Sequence, residues 1–105
     1  MNYTDYSTVR DSIKANVRIS ETGSIDYLDM EDICQEFRTS AQWMIFTEGL
    51  FEMYRRGDGF TGMAFKALEL LLRAAMLEHN KAEDREEREF RKAEEEQERL
   101  RNEAA

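Results

Sequence analysis

Apolar residues recur at helical spacing in the first half of the chain. Tyr6, Val9 and Ile13 are three and four residues apart, so they share one face of a helix predicted over residues 5–16. Apolar stripes of the same spacing continue between residues 30 and 55. These stripes predict either one bent helix or two separate helices.

The period of the pattern shortens to two near residues 16–28. Apolar residues alternate with polar ones on both sides of the segment SETGS, at Val17, Ile19, Ile25 and Tyr27. Alternation around a glycine-containing turn predicts a short β-hairpin. The alternative is a helix that ends near Ser20 and is followed by a loop.

Capping residues mark where the helices begin and end. Asp29 is a predicted N-cap. Thr39, with Gln42 three residues later, has the form of a capping box and indicates a break within the second helical region. Gly57 suits the left-handed residue that follows a helix, and Thr61 is the predicted cap of the last helix.

The last helical segment changes character along its length. Between residues 63 and 77 only Lys66, Glu69 and Arg73 are polar. A helix that is apolar around most of its circumference is predicted to be buried on several sides, at the centre of the domain or in a subunit interface. After Asn80 the residues are nearly all charged.

The charged segment is predicted to stay helical without a core. Acid–base pairs lie four residues apart at Asp84–Arg88, Glu87–Arg91 and Glu95–Arg99. Each such pair stabilises a helix by about 0.2–0.5 kcal/mol. Heptad positions counted from Leu72 form no apolar seam, which argues against a coiled coil. A helix from residue 62 to 100 would be roughly 60 Å long, so it is predicted to project from the domain.

The predicted fold is mainly α: a small domain of three to four helices, with a short β-hairpin near 16–28 and a long C-terminal helix projecting from the core. Residues 1–79 are the predicted helical core domain, and residues 80–105 a charged helical extension of its last helix. Ten of the eleven aromatic residues precede residue 80. Because a domain this small needs apolar volume inside, an aromatic cluster is predicted in the core, at Trp43, Phe46, Phe51 and Tyr54.

Composition limits the partners of the chain. The 105 residues carry a net charge of −8, which disfavours direct contact with nucleic acids or anionic membranes. No apolar run approaches the ~20 residues needed to span a bilayer. The N-terminal residues do not resemble a signal peptide, and a cytoplasmic location is the expectation.

The available side-chain chemistry predicts a protein that is not an enzyme. Cys34 is the only cysteine and His79 the only histidine, and no motif of nucleophilic catalysis surrounds either. Zinc needs several such ligands. The run DYLDMED lacks the spacing of a calcium loop, and RRGDGFTG is not a phosphate-binding loop. No cofactor, metal site or catalytic residue is predicted, and Cys34 is expected to be a small buried apolar residue.

The remaining candidates for function are surfaces. Residues 20–37 hold six acidic side chains and no basic one. Farther along, Phe90 stands alone among charged residues, and Leu100 lies in the same charged segment. The candidate partner-binding residues are Glu21, Asp26, Asp29, Glu31, Asp32, Glu36, Phe90 and Leu100.

These surfaces predict a non-enzymatic protein–protein interaction module, acting as an adaptor, assembly or regulatory protein and forming oligomers. Its partner would be another protein, in particular one with a basic surface, or a second copy of the chain. The alternative is an acidic inhibitor that imitates nucleic acid and blocks a DNA- or RNA-binding protein. Small acidic proteins of this sort are frequent among the accessory proteins of phages and mobile elements.

Overall fold

A computed structural model describes residues 1–58 and 63–104. In chain order its elements are helix α1 (Tyr3–Asn16), strands β1 (Val17–Ile19) and β2 (Ile25–Leu28), and helices α2 (Met30–Glu36), α3 (Ser40–Arg56) and α4 (Phe65–Ala104). The mainly α fold, the hairpin and the long C-terminal helix are confirmed. The predicted cap Thr61 lies outside the described residues. The molecule measures 67 × 25 × 19 Å because α4 extends well past the other elements.

The predicted caps set the bounds of the helices. The Asp29 side chain accepts a hydrogen bond from the Asp32 amide at the start of α2. Thr39 and Gln42 form the complete capping box at the start of α3. Residues 30–55 are therefore two helices, because the box ends one helical segment and begins another. Gly57 adopts the left-handed conformation, with φ of 66°, after the last residue of α3.

The hairpin is confirmed, but its register differs from simple alternation. Ile19 pairs with Ile25 and Val17 with Leu28, with an irregularity between them. One extra residue on β2 shifts the pattern, so Leu28 packs on the core whereas Tyr27 is exposed. Tyr27 lies instead opposite Arg18, whose guanidinium carbon is 5.5 Å from the ring centroid.

Helix α3 packs against both α1 and α4 and carries the centre of the core. Its Trp43 and Phe46 rings meet edge to face with centroids 5.2 Å apart. The ring of Phe37 also packs edge to face on Phe46, with centroids 5.1 Å apart. Such aromatic contacts favour a defined arrangement beyond the area they bury. The other fully buried large side chains are Val9, Ile13, Ile33, Leu50, Met53, Leu68 and Leu71.

Phe51 and Tyr54 do not belong to this core, so the prediction for these two residues is wrong. They are 51% and 40% exposed. The buried row of α3 follows Trp43, Phe46 and Leu50 at spacings of three and four. Phe51 is one position past Leu50, so its side chain points about 100° away from that row. Tyr54 follows Leu50 by four positions and lies near the row, but in the last turn of α3, where it stays 40% exposed.

Helix α1 approaches α3 at a glycine. A Cβ atom built on Gly49 would lie 2.6 Å from the Cβ atom of Val9, far inside van der Waals contact. Both residues are buried. The close contact between the two helices therefore depends on the missing side chain at position 49.

A polar cluster joins the end of α3 to α1. The buried Tyr6 hydroxyl donates a hydrogen bond to Asp58 Oδ2 at 2.7 Å, and the Arg56 guanidinium carbon lies 4.6 Å from the Tyr6 ring centroid. Arg10 and Lys14 bring cationic nitrogens within 3.9 and 3.8 Å of the same carboxylate. The hydrogen bond from Tyr6, with these cations, lowers the pKa of Asp58. Burial, followed by the bond to Asp58, raises the pKa of Tyr6.

Replacing Gly49 with alanine should destabilise the fold, although alanine is normally the better helix residue by about 0.5–1 kcal/mol. We expect Gly49→Ala to lower the free energy of unfolding by about 1–3 kcal/mol, because the new methyl group forces α1 away. Urea unfolding followed by circular dichroism measures the change. Glu48→Ala, at the exposed neighbouring position, is the control, expected within about 0.5 kcal/mol of wild type. A more stable Gly49→Ala variant would contradict the close contact.

The Asp58 cluster should make stability depend on pH on the acid side. A lowered pKa in the folded state means that the carboxylate stabilises the fold above its ordinary pKa of about 3.9, and that this contribution is lost as pH falls through the lowered value. Asp58→Asn should therefore be less stable than wild type near neutral pH. The difference should shrink below about pH 4. Asp26→Asn, at an exposed position on β2, is the control and should stay within about 0.5 kcal/mol of wild type near neutral pH.

Candidate interaction surfaces

The six acidic candidates lie on the hairpin and on α2, and we call them the acidic patch. They are Glu21, Asp26, Asp29, Glu31, Asp32 and Glu36. Glu21 lies in the turn of the hairpin and Asp26 on β2. On α2 the acids lie away from the buried Ile33, so the helix is apolar toward the core and anionic outward.

Not all of the patch is available to a partner. Glu21, Asp26, Glu31 and Glu36 are exposed. Asp29 is partly buried and its Oδ1 atom accepts the Asp32 amide at 3.1 Å. Its role as an N-cap therefore explains its position without any ligand.

Helix α4 is tied to the α2–α3 connection near its midpoint. The Glu86 carboxylate accepts hydrogen bonds from the Ser40 amide at 3.0 Å and the Ser40 hydroxyl at 2.6 Å. These bonds lower the pKa of Glu86. Arg85 donates to the Arg38 carbonyl at 3.2 Å. Ala82, just before them, is buried, so contacts with the core continue past residue 79. The domain division at that residue stays a prediction.

Beyond Glu86 the helix is exposed at every residue from 87 to 104. Two predicted ion pairs are present, with Arg88 2.8 Å from Asp84 and Arg91 2.6 Å from Glu87. Arg99 instead lies 4.0 Å from Glu103. Exposed pairs of this kind each contribute about 0.3–0.5 kcal/mol to a helix. They support its helical state without holding it against the core.

Phe90 and Leu100 are both exposed on this projecting part, at 64% and 54%. Phe90 lies one turn beyond Glu86. The two apolar residues are ten positions apart, which separates them by about 80° around the helix axis. They therefore lie on different sides of α4 rather than forming one patch.

The sequence reasoning missed an exposed apolar surface along α3 and α4. Its members are more than a third exposed: Met44, Phe51, Tyr54, Phe65 and Met76. We call this set the apolar surface. Leu70 and Leu77 are likewise exposed on α4. Residues 63–77 were predicted to be buried on several sides, either at the centre of the domain or in a subunit interface. The first alternative is wrong, because α4 buries only one stripe in the core, through Leu68, Leu71 and Ala75. The sequence signal for this exposed surface was the apolar residues around most of the circumference of α4 at residues 63–77. That pattern also fits the second alternative, a subunit interface.

Cys34 and His79 show the surroundings of structural residues. Cys34 is partly buried against the core, and burial, with Glu78 nearby, raises the pKa of its thiol. A raised pKa lowers the fraction of reactive thiolate at neutral pH. The Nδ1 atom of His79 is 3.0 Å from a Glu83 carboxylate oxygen, one turn along α4. This pair lies on the surface of a single helix.

Among residues 1–58 and 63–104 no group of three acidic, histidine or cysteine side chains has the geometry to hold a metal ion. A depression of about 370 Å³ lies beside Tyr3 and Tyr6, and both arginines at its rim, Arg55 and Arg56, are bonded to Glu52. Over the same part of the chain, every helix is too short or too polar to cross a membrane.

Comparison with protein-family models, curated proteins and solved structures finds no match to this chain.

Asp29 and Glu31 provide a test of which acids in the patch are structural. Asp29→Ala removes an N-cap and should lower the free energy of unfolding by about 1 kcal/mol. Glu31→Ala, two positions on and exposed, should change it by less than about 0.5 kcal/mol. Thermal unfolding of both variants measures the difference. Equal destabilisation would mean that the cap is not the main role of Asp29.

Proposed function

We propose that this protein is a non-enzymatic protein–protein interaction module, acting as an adaptor, assembly or regulatory protein. It presents two contact regions, the acidic patch and the projecting part of α4. Its partner is a protein with a basic surface, with oligomerisation through α4 as a second interaction.

The exposed end of α4 carries this proposal. Residues 87–104 are exposed throughout and extend about 27 Å past the last hydrogen bond to the core at Glu86. A helix of this kind buries almost nothing within its own chain, so it contributes little to the stability of the domain. We call this exposed end of α4, residues 87–104, the rod. It presents side chains on all sides to another macromolecule.

The acidic patch supports the choice of a basic partner. Its four exposed carboxylates, Glu21, Asp26, Glu31 and Glu36, lie in a segment without lysine or arginine. Complementary charge steers two proteins together and selects partners, and salt weakens it. The same arrangement favours one alternative, an inhibitor whose carboxylates occupy the nucleic-acid site of a DNA- or RNA-binding protein.

The test compares proteins captured from an extract of the source cells by immobilised forms of the chain. One variant neutralises the exposed patch with Asp26→Asn, Glu31→Gln and Glu36→Gln. Another removes residues 89–105. A matched control neutralises three exposed acids outside both contact regions, with Asp11→Asn, Glu48→Gln and Asp84→Asn. Patch variant and control therefore differ from wild type by the same net charge.

We expect a basic protein that wild type and the control retain and that the patch variant loses by about tenfold or more, with retention decreasing as salt rises. Mass spectrometry with quantification measures the retained amounts. Displacement of that protein by added duplex DNA or RNA would favour the inhibitor. Equal retention by the wild type, the patch variant and the truncated form would contradict the proposal.

A further inference from the structure

The apolar surface is large for a chain of this length. Its five side chains, from Met44 to Met76, are each 40–67% exposed. A soluble monomer seldom leaves so many large apolar groups together in water, because each loses the free energy of burial.

The contact between Ser40 and Glu86 fixes how α3 and α4 lie side by side. The helices run in opposite directions from that pair of hydrogen bonds. Steps of seven residues along each helix return to the same side. Such steps from Ser40 and Glu86 would place Thr47 beside His79 and Tyr54 beside Leu72. All of these except Tyr54 are half-buried.

Each helix also has an outer row of exposed residues, next to the line along which α3 and α4 lie side by side. On α3 it contains Met44 and Phe51, and on α4 it contains Met76 and Glu83, all of them exposed. On this helical projection Phe51 and Met76 fall on the same side of the two helices, so the exposed apolar residues of α3 and α4 are positioned to form one face.

Phe90 continues the outer row of α4 onto the rod. It follows Glu83 by seven residues and Met76 by fourteen, so the three side chains lie on one side of the helix. Phe90 is about 21 Å farther along the axis than Met76. The rod consequently carries an exposed aromatic ring on the same side as the apolar surface.

We propose that a second copy of the chain covers the apolar surface. The two copies pair through antiparallel α4 helices about a two-fold axis near Glu83, the midpoint between Met76 and Phe90. Phe90 of each copy then packs on Phe51 and Met76 of the other. A two-fold axis makes both contacts identical, so one arrangement covers both apolar surfaces. The inference rests on the proposed function, and names one partner within it.

The area available matches what a stable dimer needs. Four of the six side chains in the apolar surface and Phe90 are aromatic, and an aromatic residue presents about 150–250 Å². If the two methionines are counted at a similar size, the six roughly half-exposed side chains offer at most about 600 Å² per copy. Two copies would bury about 1,200 Å², the lower end of the range for specific interfaces. The aromatic residues among them are of the type that dominates interface energies.

The two-fold axis also sets like charges against each other, and the apolar contact has to offset their repulsion. The two Glu83 carboxylates face each other there, and each lies 3.0 Å from Nδ1 of its own His79. The antiparallel arrangement also brings Glu87 of one copy toward His79 of the other. Arg73 borders the apolar surface, and Glu94 of the second copy lies on the opposing stretch of rod. Of these groups, Arg73 and Glu94 form a pair of opposite charge at the edge of the apolar contact.

The molar mass of the full chain, measured by light scattering over a wide range of concentration, tests the proposal. We expect a dimer that dissociates on dilution. Met76→Glu should raise its dissociation constant by about tenfold or more, because a carboxylate would be placed against apolar side chains. Leu77→Glu is the matched control, since Leu77 is equally exposed on another side of α4. It adds the same charge and should leave the dissociation constant within about twofold of wild type.

Disulfide trapping tests the pairing itself. In a Cys34→Ser background, Met76→Cys mixed with Phe90→Cys should yield cross-linked dimers that contain both variants. Leu77→Cys mixed with Phe90→Cys should yield few. Circular dichroism confirms that each variant is folded.

Two results would overturn the inference: a mass of one chain at every concentration, or dissociation by Leu77→Glu while Met76→Glu leaves the dimer intact. A monomer that still binds a basic protein through the acidic patch would overturn this inference alone. The proposed function would then stand on that binding.

Discussion

Helix α3 contacts both α1 and α4, and α1 in turn contacts α2 and β1. The contact with α1 depends on Gly49 having no side chain, because a Cβ atom there would collide with Val9. The contact with α4 depends on apolar packing around Trp43 and on the bonds between Ser40 and Glu86. These two contacts determine where α4 leaves the domain and which of its sides is exposed.

Charge has two separate roles in this chain. Some acids are structural: Asp29 caps α2, Asp58 accepts a hydrogen bond from Tyr6, and Glu86 holds the first residue of α3. Others, such as Glu31 and Glu36, are exposed and oriented away from the core. The net charge of −8 therefore overstates what a partner can contact. The exposed carboxylates of the acidic patch are the part that electrostatic recognition can use.

Helix α4 combines three environments on one continuous element. Its Leu68 and Leu71 side is buried in the core, its flanks carry exposed Met76 and Leu77, and its end is surrounded by water. Local ion pairs and good helix-forming residues keep the last part helical where packing ends. A rigid rod next to an apolar face is an arrangement suited to assembly, because binding then orders little new structure.

Local patterns in the sequence determined most of the secondary structure. The capping box at Thr39, the N-cap at Asp29 and the left-handed Gly57 are interactions between residues a few positions apart, so their order along the chain was sufficient to predict them. Only the tertiary structure decided which apolar residues the core would take. Phe51 is as apolar as Phe46, but its side of α3 is left exposed. The direction from which a neighbouring helix arrives depends on contacts distant in sequence, such as Ser40 with Glu86, and periodicity within one helix does not encode it.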